Sequence, residues 1–276
     1  RNVVYNNRDQ CINLFTWDED GKRIMHTCSF EPYLYIEDNR GDKTSIYGTK
    51  VKKKKFNNRF NRSRFLSDSG IKRVFENAPP QQQFLLDLYW QENEKPEFNT
   101  QPLRVCLIDI ETYSPDSFPD VDNPNHVVNV ITCYDNFTKK FHTFGIKPYN
   151  GKGRPDLNYV HCRDERDMFI KFLEYLESDY PDILSGWNSE FFDIPYIVGR
   201  IEHILGQEYV NRLSPLGRVY SRLIRGQFGR EQKRFYIEGV ACLDYLDVYK
   251  RFCLKLRESY KLDAIGEVEL GQRKID

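Results

Sequence analysis

The chain has 276 residues, 39% apolar, 14% aromatic and 30% charged, and its 41 basic and 41 acidic side chains balance to zero. That length has room for two domains with real cores, and the composition is that of a globular chain, so the disordered class is excluded. Seven scattered cysteines without a C-x-x-C pair read as reduced intracellular thiols, and no apolar run or signal core supports a membrane or secreted class.

The first 100 residues carry 17 basic and 14 acidic side chains, against 24 and 27 in the rest. Residues 50–73 hold ten basic residues against Asp68 alone. This part reads as β-rich. CINLFTWDEDGKRIMHTCSF places two apolar runs around the turn signal Asp20-Gly21, which predicts a hairpin. PYLYIED alternates and predicts a further strand, and a helix is expected over 68–77 with Ser67 or Asp68 as its cap. The polar stretch QENEKPEFN and the segment 99–102 mark a boundary near residue 103, giving domains 1–103 and 104–276.

The second part alternates strands and helices. RVCLIDIETY, VVNVITCYD and KFHTFGI predict three strands. ERDMFIKFLEYLE predicts a helix, because Phe169, Phe172, Leu173 and Leu176 share one face. DILSGWN reads as a buried strand and DIPYIVGRIEHILG as an amphipathic helix, with Pro195 in its first turn and Gly206 closing it. Residues 219–238 read as a hairpin with Gly229 near its tip, and RFYIEGVACLD as a strand. The order β-β-β-α-β-α implies an α/β layer fold with a mixed sheet.

Three acids carry the chemistry. Asp109 and Glu111, two apart on a strand, share one sheet face. They either point to solvent at a strand end or are held by cations, since paired carboxylates repel and hard divalent ions prefer their oxygens. Asp193, at a helix start, is either an ordinary N-cap or a third metal carboxylate. Taken together they suggest a two-metal site for phosphoryl-transfer hydrolysis.

LIDIET followed about 75 residues later by SGWNSEFFDIPY resembles the first two exonuclease motifs of the family B DNA polymerases. FEPYLYIED, ETYSPDSFPD, NVITCYD, RLSPLGR, CLDYLDVYKRF and SYKLDAIGE extend the likeness along nearly the whole chain, towards the T-even-type bacteriophage members. The resemblance implies an RNase H-like 3′–5′ exonuclease domain with a mixed sheet, preceded by a β-rich α+β domain that contacts template DNA and RNA. It implies proofreading of mismatched single-stranded 3′ ends, with Asp109, Glu111 and Asp193 as catalytic metal ligands for Mg2+, or Mn2+ in its place. A fourth acid, in a Tyr-x-x-x-Asp motif after Asp193, is expected and does not occur. The two matches at Tyr5–Asp9 and Tyr175–Asp179 precede Asp193 and read as chance. The chain is therefore expected to be a truncated or split-gene polymerase piece. Its alternative role is a weakly cutting module that binds single strands, and a third reading is a stand-alone RNase H-like exonuclease.

Further site residues follow from the same likeness. Phe118 would stack on the primer's 3′ end, or else pack in the core. Asn188 and Phe192 would line the cleft, and a hairpin with Gly229 and Arg230 near its tip would help to separate strands. Asp244 and Asp247 read as helix capping and dipole complement. Lys52, Lys53, Lys54 and Lys55, interleaved with Phe56, Phe60 and Phe65, are either a solvated run or a phosphate-contacting surface. The expected partners are primer-template DNA, RNA and the remaining polymerase chain. A sliding clamp is expected only through the part this chain lacks, no membrane is involved, and the expected location is the cytoplasm of an infected bacterial host.

Overall fold

A computed structural model describes residues 2–68, 70, 73–75, 77–89, 102–115, 117–225 and 231–273. The chain forms two compact units, Arg1–Gln101 and Pro102–Asp276.

The first unit is built on two antiparallel sheets. β1 (Asn2–Asn6), β2 (Cys11–Trp17) and β3 (Arg23–Ser29) form one, in that order. The β2–β3 hairpin turns where expected, with Gly21 at φ 78° and the Asp18 carboxylate accepting from the Lys22 N–H. The other sheet has the order β5-β6-β4-β7, from β4 (Tyr33–Glu37), β5 (Lys43–Thr44), β6 (Lys50–Lys55) and β7 (Val74–Phe75). The basic run is thus an interior strand, and period-two geometry splits its lysines between two faces. Lys53 lies 3.6 Å from the Tyr33 ring centroid and pairs with Asp87, while Lys55 pairs with Glu31. Lys54 sits 4.6 Å from the centroid of Phe65.

The helix expected over 68–77 lies instead at α1 (Arg59–Asp68). Its cap is Asn58, whose carboxamide oxygen accepts from the Asn61 N–H at 2.8 Å, and Asp68 ends the helix rather than starting it. Gly70, at φ 61°, follows, and Val74–Phe75 is a strand. A second helix, α2 (Pro80–Tyr89), is locked to β4 by the buried Gln83, whose amide both donates to and accepts from the Tyr33 backbone.

The second unit is α/β. β8 (Val105–Thr112), β9 (Val128–Asp135) and β10 (Lys140–Gly145) form an antiparallel meander. β11 (Leu157–His161) adds in parallel to β10, and β12 (Ile183–Gly186) and β15 (Ala241–Asp244) add in parallel beyond β8. The six-stranded mixed sheet therefore runs β11-β10-β9-β8-β12-β15. β11 was not expected from sequence, because its half-exposed LNYVH lacks an apolar run.

Met168, Phe169, Phe172, Leu173 and Leu176 of α3 (Glu165–Ser178) pack on this sheet. They are joined by Ile194, Ile197, Val198 and Ile201 of α4 (Asp193–Leu205). Full burial of each such side chain contributes about 1.5–3 kcal/mol. Asp164 caps α3 through the Asp167 N–H, and Gly206, at φ 95°, closes α4. α5 (Gln207–Asn211) follows directly.

A two-stranded hairpin, β13 (Val219–Arg225) and β14 (Glu231–Ile237), stands apart from the main sheet. The stretch RFYIEGVACLD is two strands rather than one. Gly239, at φ 89°, breaks it, so that the chain leaves the hairpin and enters the sheet as β15. α6 (Tyr245–Phe252) and α7 (Leu262–Leu270) complete the unit.

Candidate active site

The site forms where β8 and β12 part company. Their pairing extends only to Ser185↔Leu107. At Gly186 the chains approach so closely that a Cβ would lie 2.5 Å from the Ile108 carbonyl oxygen, so only glycine fits. Beyond that point the Ile110 N–H donates to Oδ1 of Asp193, at 3.1 Å.

Asp193 is therefore not a helix cap. The N-cap of α4 is Phe192, without a side-chain cap bond, and the Asp193 carboxyl reaches back to β8 instead. Asp193 is 4% exposed. Burial, then the charge of Asp109, pushes its carboxyl up to about 7 against the pull of the Ile110 N–H. Asp109 and Glu111 both lie on the exposed face of β8, opposite buried Ile108 and Ile110, as the D-x-E spacing predicts.

Asp109 and Asp193 share a cavity of ≈ 860 Å³ with Phe118, Asn188 and Phe192. Glu111 is not among its lining residues. Phe118 is 83% exposed, so it is a presented ring rather than a core residue, and its centroid lies 5.9 Å from that of Phe192. Phe192 stacks in turn on Tyr196, whose hydroxyl donates to the His126 carbonyl. Ile224 and Gln232 of the hairpin form another wall, while Gly229 and Arg230 lie outside the described residues.

The loop that carries Asn188 and Phe192 is held from behind. Asn188 has φ 63°, a left-handed conformation that Asn tolerates better than most residues. Asp244, at the end of β15 and 1% exposed, accepts from the N–H groups of Asn188, Glu190 and Leu246. Its reading as the cap of α6 holds, but two of its three bonds serve the site loop. Glu190 is buried and paired with Arg234 of β14, which ties the hairpin to the same loop. Burial raises the Glu190 carboxyl, and Arg234 opposes that rise.

Sequence reasoning missed Trp187, Gln232 and Lys250 in the cavity wall, and it gave Asp247 only a dipole role. The signal for α6 was present, because Asp247 and Lys250 lie three apart and so share one face of the helix. The two Tyr-x-x-x-Asp matches lie elsewhere. Asp179 pairs with Arg104, and Asp9 accepts from the Asn6 amide. Lys52 to Lys55 belong to the first unit, on β6.

Among the described residues, no group of three or more His, Cys, Asp or Glu side chains could hold a metal. The Asp109–Asp193 pair nevertheless fits a hard divalent ion. It supplies only oxygen donors, and a buried carboxyl raised by a neighbouring carboxylate is what a cation relieves. Mg2+ in particular is bound through one or two carboxylates, water and substrate phosphate rather than an all-protein cage.

The family model described as DNA polymerase family B, exonuclease domain, matches residues 57–265. The DNA-directed DNA polymerase of Escherichia phage RB69 is 28% identical over 292 residues, covering 94% of this chain and 31% of that protein. The DNA-directed DNA polymerase of Enterobacteria phage T4 is 32% identical over 197 residues, covering 63% of this chain and 22% of that protein. The DNA polymerase catalytic subunit of Human herpesvirus 8 type P is 26% identical over 196 residues, 63% of this chain and 18% of that protein. The chain thus spans less than a third of the length of each of these relatives. No described helix is long and apolar enough to cross a membrane. With the acids of β8 and α4 meeting in one cleft, and the family match running through both, the chain belongs to the family B DNA polymerases by way of their exonuclease domain.

Proposed function

We propose that residues 104–276 are an RNase H-like 3′–5′ exonuclease domain that hydrolyses the terminal phosphodiester of a frayed, single-stranded 3′ end. The reaction joins a water oxygen to phosphorus and releases the 3′ oxygen of the shortened strand, yielding a nucleoside monophosphate. The observation that carries the reading is the convergence of Asp109 and Asp193 in a cavity that also presents Phe118. The mixed sheet, with β8 at its centre, supports the RNase H-like assignment.

Asp109 and Asp193 would hold Mg2+ or Mn2+, and the two-ion arrangement of the family calls in addition on Glu111. When bound, such an ion would supply a water of lowered pKa and offset phosphate charge. Asp109 and Asp193 set where the phosphate rests. Phe118, backed by Phe192 and Tyr196, offers a face on which the terminal base stacks. Ile224 and Gln232 bound the space left for the strand. In the first unit, Lys52 and Lys54 are the lysines of the basic run without a carboxylate partner among the described residues, so template DNA or RNA phosphates would meet these two. The partners proposed are primer-template DNA and the rest of a polymerase chain, with a clamp reached only through that remainder. The proposed location is the cytoplasm of a phage-infected bacterium.

A second reading is favoured by the lack of a three-carboxylate group among the described residues: a module that holds single strands and cuts them slowly. One experiment separates the two. A 5′-labelled single-stranded oligonucleotide is incubated with the chain and Mg2+, and 3′ trimming is followed on a gel. Asp109→Ala and Asp193→Asn should each slow trimming by about a hundredfold or more while leaving the fold intact. Trimming by Asp193→Asn at the wild-type rate would sink the assignment of the Asp109–Asp193 cleft as the catalytic site. Binding without Mg2+-dependent trimming would establish the module.

A further inference from the structure

The cavity poses an electrostatic problem for the substrate proposed above. Asp109, Asp120, Asp193 and Asp247 line it, and among the described lining residues the one cation is Lys250. A polyanionic strand entering this space meets repulsion at several points and a single fixed attraction. Lys250 lies on α6, one turn beyond Asp247, and so faces the same way. Its ammonium sits 5.2 Å from the ring centroid of Tyr260, within cation–π range. Tyr260 is itself pinned, since its carbonyl accepts from the Trp187 indole N–H at 3.0 Å, and Trp187 lines the same cavity. No ion pair with a described residue engages Lys250. The cation is thus steadied by an aromatic face rather than neutralised by an acid.

We propose that Lys250 binds a phosphodiester of the single strand on the 5′ side of the scissile linkage. The strand then runs from the Phe118 face, past Asp109 and Asp193, to α6, and Lys250 sets its direction. This inference rests on the single-strand reading of the cavity, and its test is chosen to tell the two apart.

The test is equilibrium binding of a short, labelled single-stranded oligodeoxynucleotide in EDTA, followed by fluorescence anisotropy over a range of salt. Lys250→Gln should weaken binding by about tenfold, the scale of one charge-assisted hydrogen bond. It should also flatten the slope of log affinity against log salt by about 0.7, one single-strand contact. Lys250→Arg should restore both, and the melting temperature should stay unchanged in each variant. A second series replaces one linkage at a time by an uncharged methylphosphonate. One of the three linkages nearest the 3′ end should weaken wild type as much as Lys250→Gln does, with no further loss in that variant.

If wild type binds and Lys250→Gln binds equally well with the same slope, the inference falls and the single-strand reading stands. A variant that binds weakly while every methylphosphonate weakens it further overturns the phosphate contact and leaves Lys250 a support for Tyr260. Should wild type bind no oligonucleotide at all, both readings fall together.

Discussion

Phe118 shows what one side chain can reveal that its sequence context could not. SPDSFPD is compatible with a loop ring tucked inward, yet the ring is 83% exposed and rests against Phe192. An exposed aromatic has little to contribute to stability, so Phe118→Ala should leave the melting temperature within about a degree of wild type. The same change should weaken binding of a single-stranded 3′ end by about 1–3 kcal/mol, the worth of one base stack, as read by oligonucleotide titration. Equal affinity in the variant would return Phe118 to the status of a surface residue. Asp193 shows the opposite limit of legibility. Its position before Ile-Pro fits a cap, and only the partner on β8, 83 positions away, shows where the carboxyl goes. Asp109 and Glu111 were readable because strand alternation is a local rule.

Elements were legible where the apolar period was strong and where the partner was sequential. α3, α4 and the β2–β3 hairpin follow from spacing alone. α1 was misplaced because both Asn58 and Asp68 can cap, and tertiary contact chose Asn58: the Arg62 guanidinium enters the interior to reach the Ala78 carbonyl and Gln83. The start of β8 offers a test of a buried clamp. Arg104 pairs with Asp135 and Asp179, and Asp135 is almost fully buried. Burial pushes the Asp135 carboxyl up, but the Phe137 N–H, Arg104 and Thr138 outweigh it and leave it below the usual carboxylate range. A depressed carboxyl contributes stability that is present above its unfolded pKa of about 3.9 and is lost as pH falls through the folded value. Wild type should therefore lose stability below about pH 4, followed by denaturant melts at several pH values. Asp135→Asn should lose about 3 kcal/mol at neutral pH, because Arg104 keeps only Asp179, and should show a shallower acid limb. An unchanged limb would mean that other acids set the acid unfolding.

At the scale of the molecule, charge distribution was legible in outline and misleading in detail. The first part is the more basic, but pairing within its own unit commits Lys53 to Asp87 of α2 and Lys55 to Glu31 just before β4. Changing Lys52, Lys53, Lys54 and Lys55 together to Gln should therefore flatten the salt slope for primer-template binding by about 1.4, two single-strand contacts rather than four. A salt titration giving no change in slope would make the run a solvated face. Cross-chain juxtapositions were the part that no local rule could reach. The hairpin wall, the Asp244 brace and the α6 face come from segments that meet only when the sheet closes. That closure has a bearing on how the protein is made. Leu107 pairs with Ser185 and Gly186 with Asp244, so the strand bearing Asp109 waits through much of synthesis for the neighbours that complete its cleft. Such distant pairings form late and slowly. A nascent chain that carries Asp109 and Asp193 but not yet residue 244 lacks both the edge strand β15 and the carboxylate that braces the site loop. The candidate site is in this sense completed last, when β15 and α6 join the sheet and loop that carry its two acids.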